Sequence, residues 1–367
     1  MTATNTEAPA PPRPPDRRPG GTGSTRDHGT LTDAARWAVL AASVVLGVLI
    51  TTLAWGWSAI AAGAVSAVLY LIGIYTLSRV VEGHRHAVDR TVTGVVTTMF
   101  LIALLPLVSV VWEVASMGIS RFDAEFFTWS MRGVMGEGGG AYHAIMGTLI
   151  ITGLTTLISV PIGIFAAIYL VEYGNRNALS KGLTFFVDVM TGIPSIVAGL
   201  FAIALFTLFF GPGVRMGIIG AVALTVLMIP VVVRSTEEML RLVPNELREA
   251  SYALGVPKWL TISKVVLPTA IAGIATGVTL AIARVIGETA PLLVTVGTTD
   301  SMNLNPFDGR MQTLPIFAYY SYATPGIPKE PYFERMWAAA LTLILIVMAL
   351  NLAARLISTF FAPKTGR

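Results

Sequence analysis

Apolar residues fall in eight long blocks along this chain, at 37–55, 58–77, 91–114, 143–171, 183–210, 216–233, 269–295 and 336–357. Each has about the twenty residues that a helix needs to cross a ~30 Å hydrocarbon core. The pattern predicts an all-α, polytopic membrane protein with eight transmembrane helices. The first two blocks are separated only by Gly56 and Trp57, so they form a tight transmembrane hairpin with tryptophan at one interface. With its basic flank this hairpin occupies 37–90. The third block carries Pro106 as an expected kink and runs into a polar loop, giving a unit over 91–141. There Phe122, Phe126, Phe127 and Trp129 suggest a segment lying at the membrane interface rather than crossing it.

Two polar stretches differ in kind from the other breaks. The long one over 297–335 has neither strand nor helix periodicity. The other, over 235–268, is amphipathic. In it Pro244 stands where a helix begins, and Asn245, Glu246 and Glu249 place acceptors and negative charge in the first turn. Gly255 is the expected stop. Leu247, Ala250, Ser251 and Leu254 share one face at spacings of three and four, a narrow apolar stripe that needs a partner. Pro257 then starts a second short helix, expected to end at Leu267 and Pro268. A loop this compact is a shaped object.

Composition agrees with the block pattern. The chain is 54% apolar and only 13% charged, against about a quarter charged in soluble domains. Cysteine is absent, which removes disulfides and thiolate metal sites. The net charge of +4 is modest, and most cations flank apolar blocks, which argues against nucleic acid. Across eight spans, 18 Lys and Arg fall on the side of the termini and the 235–268 loop, and 6 on the other. By the positive-inside rule the termini and that loop are cytoplasmic, and 297–335 is extracytoplasmic. Residues 1–36, rich in Pro, Gly, Thr and Arg, read as a disordered basic cytoplasmic tail, too long and proline-rich for a signal peptide's leading region.

The remaining arginine, Arg284, stands inside the seventh block, sixteen residues after Pro268. An unpaired arginine at such a depth costs at least ~2.5–3.5 kcal/mol on insertion scales, so it must face protein or a watery cavity. Glu288, four residues on, is expected to pair with it on one helical face. Gly273, Gly277 and Ala281 form a small-residue stripe below them, which places the pair on an interhelical face between subunits. The pair either neutralises itself and locks helix packing, or serves a passing tetrahedral oxyanion, whose oxygens a guanidinium fork matches. A carboxylate beside it weakens binding enough for release and accepts a hydrogen bond from a protonated anion. Gly287 and Pro291, and Gly192, Pro194, Ser195 and Gly199 in the fifth block, can break helices and bare backbone groups. Glu172 and Tyr173 read as interfacial. His84 and His86 lack a third ligand nearby, and Asp300, Asn303, Asn305 and Asp308 lack the glycine of a calcium loop. No phosphate-binding G-x-x-x-x-G-K-[ST] loop occurs, so nucleotide must be handled by a partner.

The order Glu249-Ala250-Ser251, three residues, Gly255, nine residues, Val265, one residue, Leu267-Pro268 resembles the EAA motif of membrane subunits of bacterial ABC importers. That motif has Ala where Ser251 stands and usually Ile where Val265 stands. The wider text, VPNELREASYALGVPKW followed by AIARVIGETAPLL, is similar to the PstA-type permeases of phosphate importers from about Gly140 to Arg355. The resemblance implies a MetI-like ABC permease core over 142–367, to which the hairpin is an N-terminal addition. It implies a multi-pass subunit of the cytoplasmic membrane that translocates phosphate and is not itself an enzyme. It further implies a PstC-like second permease, a PstS-like binding protein, and a PstB-like ATPase dimer docked at Glu249, Ala250, Ser251, Leu254 and Gly255. ATP and Mg would be bound by that ATPase, and this chain would hold no cofactor. Arg284, Glu288, Ser195 and Thr289 would line the substrate pathway. Two alternatives stay open: another oxyanion, such as sulfate or molybdate, and a stand-alone secondary transporter or membrane scaffold, against which the amphipathic loop speaks.

Overall fold

The computed structural model describes residues 30–174 and 177–361. Most of the expected basic tail, and the cations Arg176, Lys364 and Arg367 counted toward orientation, lie outside those residues. The chain divides into two compact units at Val108.

The first unit contains α1 (Asp33–Trp55), α2 (Ala59–Val81) and the start of α3 (His84–Gly118). The tail was expected to run to residue 36, but α1 begins at Asp33 because Thr32 caps it, its hydroxyl accepting from the Ala35 amide at 3.4 Å. Gly47 lets α1 approach α2 closely at Ser66, whose hydroxyl and backbone occupy the space a side chain would need. At the α2–α3 corner Glu82 is buried and collects donors: the Leu31 amide at 2.6 Å, the Ser78 hydroxyl at 2.8 Å and Arg90 Nη2 at 2.6 Å. The Arg90 guanidinium, with those neighbouring donors, holds the Glu82 carboxyl down at about 2.

The second unit holds α4 (Ala124–Thr128), α5 (Tyr142–Ile168), α6 (Ala178–Thr191), α7 (Ser195–Phe210), α8 (Gly217–Arg241), α9 (Asn245–Ala253), α10 (Lys258–Thr261), α11 (Leu267–Val285), α12 (Ala290–Thr295), α13 (Leu314–Ala323) and α14 (Glu330–Phe361). α8 is the axis of this unit. Its Leu224, Met228 and Val232 share one buried core with Ile151 of α5, Val285 of α11, Leu292 of α12 and Ile316 of α13. Small residues permit the close crossings: Gly163 of α5 sits against Val232, and Gly220 of α8 against Leu292 and Val296. Among the described residues seven helices are long and apolar enough to cross a membrane, or eight if the bent pair α6 and α7 counts as one crossing.

Several elements depart from the sequence reading, each for a local reason. The fifth block is not one helix: α6 and α7 meet at a 110° bend around Gly192–Pro194, because Pro194 pushes the preceding residue out of the helical region. The sixth continues eight residues past Val233 to Arg241, carried by Arg234–Glu237 and Glu237–Arg241 pairs at helical spacing. The helix expected to stop at Pro268 runs on instead, from Lys258 to Val285. A π-turn at Ile262–Val266 accommodates the proline, whose missing amide removes one helical hydrogen bond. The 297–335 loop contains α13 and the first turns of α14. Its Met311–Phe317 stretch is buried, with the Leu314 amide donating to Thr148 Oγ1 at 2.8 Å. Phe126, expected at the membrane interface, is core against Leu314 and Phe317, whereas Trp129 is exposed. Arg335 is not a solvated flanking charge. It is buried, stacked on Tyr332, and donates through Nη1 to the Gly136 and Gly138 carbonyls, both at 2.8 Å.

Candidate functional site

The α9 segment is built as a held projection. Gly255 ends it with φ +75°, and the Gly255 amide returns to the Tyr252 carbonyl at 2.9 Å and the Val256 amide to Ser251 at 3.2 Å. Of the residues expected to face a partner, Glu249, Ala250, Leu254 and Gly255 are exposed, Leu254 at 83%. Ser251 is buried instead, and its hydroxyl meets Thr261 Oγ1 at 2.8 Å, a bond that alanine at this position could not make. Around the projection Leu247, Tyr252 and Trp259 are also exposed.

What holds α9 is a residue the sequence reading placed at the interface. Glu172, on a π-turn that closes α5, is buried and accepts from Arg248 Nη2 at 2.9 Å and Nε at 3.1 Å. Arg248 also donates to the Val243 carbonyl at 2.7 Å and the Leu240 carbonyl at 2.9 Å, so one guanidinium ties α9 to the ends of α5 and α8. Lys258 donates to the Glu172 carbonyl and lies 4.9 Å over the Tyr173 ring. A lone acid closing an apolar block was the available signal for Glu172; nothing in its spacing pointed to Arg248, 76 positions later. A second cluster joins α6 to α8: Arg234 bonds both Asp188 and Glu237, and Arg241 bonds Glu237 from the other side.

At the far end of α11 the expected ion pair is not formed. The helix stops at Val285, so Glu288 lies beyond it and not one turn along it, and Arg284 makes no ion pair or side-chain hydrogen bond among the described residues. The stop is physical: Ile286 and Gly287 form a turn, and α12 opens three residues later at Ala290, with Pro291 in its first turn. Arg284 is exposed, continuing a row of exposed positions at Thr276 and Leu280. The glycine stripe expected to face another subunit packs inside the chain, Gly273 on Met239 and Gly277 on Ser235 of α8. Glu288 and Thr289 are half-buried in the break, and a methyl group placed on Gly287 would meet nothing within 4 Å. The break therefore opens on free space. Ser195 starts α7, half-buried, and one turn later Gly199 brings α7 onto α12, where a Cβ would stand 2.7 Å from Pro291 Cα. Two interrupted helices are thus set backbone to backbone, with a free guanidinium beside one break. A cation in the last turn also suits the negative end of the α11 dipole.

The family described as the inner membrane component of binding-protein-dependent transport systems matches residues 159–367. The chain is 49% identical over 273 residues to phosphate transport system permease protein PstA 1 of Mycobacterium tuberculosis, covering 74% of this chain and 87% of that protein. It is 41% identical over 258 residues to phosphate transport system permease protein PstA of Pasteurella multocida, covering 70% and 88%. Among solved structures it is similar to the inward-facing MetNI methionine ABC transporter, at 21% identity and a TM-score of 0.47, covering 61% of this chain and 94% of that one. The chain belongs to the family of inner membrane components of binding-protein-dependent transport systems and, within it, to the PstA permeases.

Proposed function

We propose that this chain is the translocation subunit of an ATP-driven phosphate importer, multi-pass in the cytoplasmic membrane with α9 on the cytoplasmic side. The observation that carries the reading is Arg284: an exposed guanidinium with no ion pair among the described residues, the one charge in α11, beside a helix break that opens on free space. Five fixed donors there suit an oxyanion, and the PstA relatives are named for phosphate transport. Glu288 and Thr289 in the break, and Ser195 at the start of α7, supply a carboxylate and hydroxyls along the same route. The carboxylate keeps the grip weak and favours a protonated anion.

The engine is a partner. A PstB-like ATPase dimer, holding ATP and Mg, grips Glu249, Ala250, Leu254 and Gly255, with Ser251 buried beneath as the pin to Thr261. A PstC-like permease completes the pathway and a PstS-like binding protein delivers the anion outside. The chain itself then performs no chemistry and carries no cofactor. Movement of α9 reaches α5 and α8 through Arg248, and reaches α11 through the continuous helix from Lys258. The test is phosphate and sulfate uptake in cells lacking this chain. Wild type restores phosphate uptake, and Arg284→Gln, inserted at the same level, restores less than a tenth of it. Undiminished uptake by Arg284→Gln removes the assignment.

A further inference from the structure

Between α6, α8 and the π-turn after α5 lies a crevice of about 460 Å³, walled by Ser180, Lys181, Thr184 and Asp188 on one side and by Leu170 and Arg241 on the other. Its charges are not balanced. Asp188 is engaged by Arg234, and Glu237 is held between Arg234 and Arg241. Lys181 is exposed and makes no ion pair among the described residues, so the crevice keeps one uncompensated positive charge beside two hydroxyls. Its rim is apolar. Leu179, Phe186 and Val189 are exposed at spacings of seven and three along α6, and Phe185 is 70% exposed next to Lys181's turn. Lys181 and Arg241 share the crevice, and seven residues further along α6, and seven back along α8, Asp188 meets Arg234, so α6 runs antiparallel beside the end of α8; its first turn then stands at headgroup level, with Phe185, Phe186 and Val189 deeper, toward the acyl region.

We propose that this crevice is a binding site for the phosphate headgroup of an anionic phospholipid, seated on Lys181 with Arg241, Ser180 and Thr184 around it and its acyl chains against Phe185 and Leu179. A dissolved phosphate ion would use the same cation and hydroxyls, but it has nothing to place against the exposed phenylalanine. The lipid does, and a cationic side chain near the membrane surface attracts an anionic lipid. The inference needs only that the first turn of α6 lies at the membrane boundary, and it is independent of what is transported.

The test uses the full chain purified in detergent and titrated with phosphatidylglycerol or phosphatidylcholine, with bound lipid counted by native mass spectrometry. Wild type retains about one phosphatidylglycerol that phosphatidylcholine does not replace. Lys181→Glu lowers that retention at least fivefold, and Phe185→Ser lowers it with Lys181 intact; both melt as wild type does in phosphatidylcholine. Equal retention by wild type and Lys181→Glu overturns the proposal. So does displacement of the bound lipid by millimolar inorganic phosphate, which would assign the crevice to a free anion. Protection of Lys181 from an amine-reactive label in delipidated assembled importer also overturns it, since a protein subunit would then cover the site.

Discussion

Arg248 and Glu172 are 76 positions apart and form an ion pair in which the carboxylate is buried and the guanidinium nearly so, with Nη2 2.9 Å from the carboxylate. The pair is the root of α9. Without the arginine, Glu172 is a buried charge facing no partner, and the last carbonyls of α8 lose their donor. Breaking such a pair on one side costs about 3–5 kcal/mol, while replacing both partners by apolar groups of similar size is near neutral. Arg248→Ala is therefore expected to lower the melting temperature in detergent and to expose α9 amides to exchange. Arg248→Met with Glu172→Met should recover most of the melting temperature. A double variant no more stable than Arg248→Ala would show that the pair is not what holds the helix.

Gly255 tests backbone conformation alone. Its φ is +75°, and an added Cβ would meet nothing within 4 Å, so substitution brings strain without collision. The expected order of destabilisation is Asn, then Ala, then Val, rising to about 1–2 kcal/mol. Equal melting temperatures for Gly255→Val and wild type would mean that the turn relaxes freely. Gly255→Asp and Glu249→Lys leave insertion unchanged and abolish uptake if the ATPase grips here.

Gly199 and Gly287 make a matched pair of opposite sign. At Gly199 a Cβ would stand 2.7 Å from Pro291 Cα and 2.8 Å from its carbonyl oxygen, backbone atoms that cannot step aside. At Gly287 the space is open. Gly199→Val should lose about 1–3 kcal/mol to overpacking and most uptake with it, and Gly287→Ala should keep its melting temperature. Reversal of that order would place the α7–α12 crossing elsewhere.

Glu82 supplies a pH dependence outside the membrane. Its carboxyl is held at about 2 in the folded chain against 4.5 for the unperturbed group. A depressed carboxyl contributes stability that is complete above about 4.5 and is lost as pH falls through the folded value near 2. At pH 7 Glu82→Gln should exchange the Leu31 amide faster than wild type does. The gap should narrow as pH falls below 4.5. A gap constant from pH 7 to 3 would refute the role of the ionised form.

The apolar blocks revealed every long helix except the one that bends, because hydropathy counts residues and is blind to direction. TGIPSIVAG announced a break by its proline and glycines, but a sequence does not say that the angle is 110°. Pro244 and Gly255 marked the start and stop of α9 correctly, since caps and stops are local. Glu172–Arg248 and the burial of Arg335 are tertiary facts between distant segments, and no periodicity encodes them. Arg284 stood out as a charge among apolar neighbours. Its separation from Glu288 did not, because i,i+4 spacing implies a shared face only while the helix lasts, and this one ends at Val285. The stretch around α13 was missed because it is buried on several sides and shows no amphipathic stripe.

The contact of Gly199 with Pro291 has a mechanical consequence. The backbone of Pro291 and the branched side chain of Val294 close on Gly199 there, leaving little room for sliding. A tilt of α7 about its elbow at Gly192–Pro194 is handed directly to the short segment after Arg284. Elbow and guanidinium are thereby joined through a single contact.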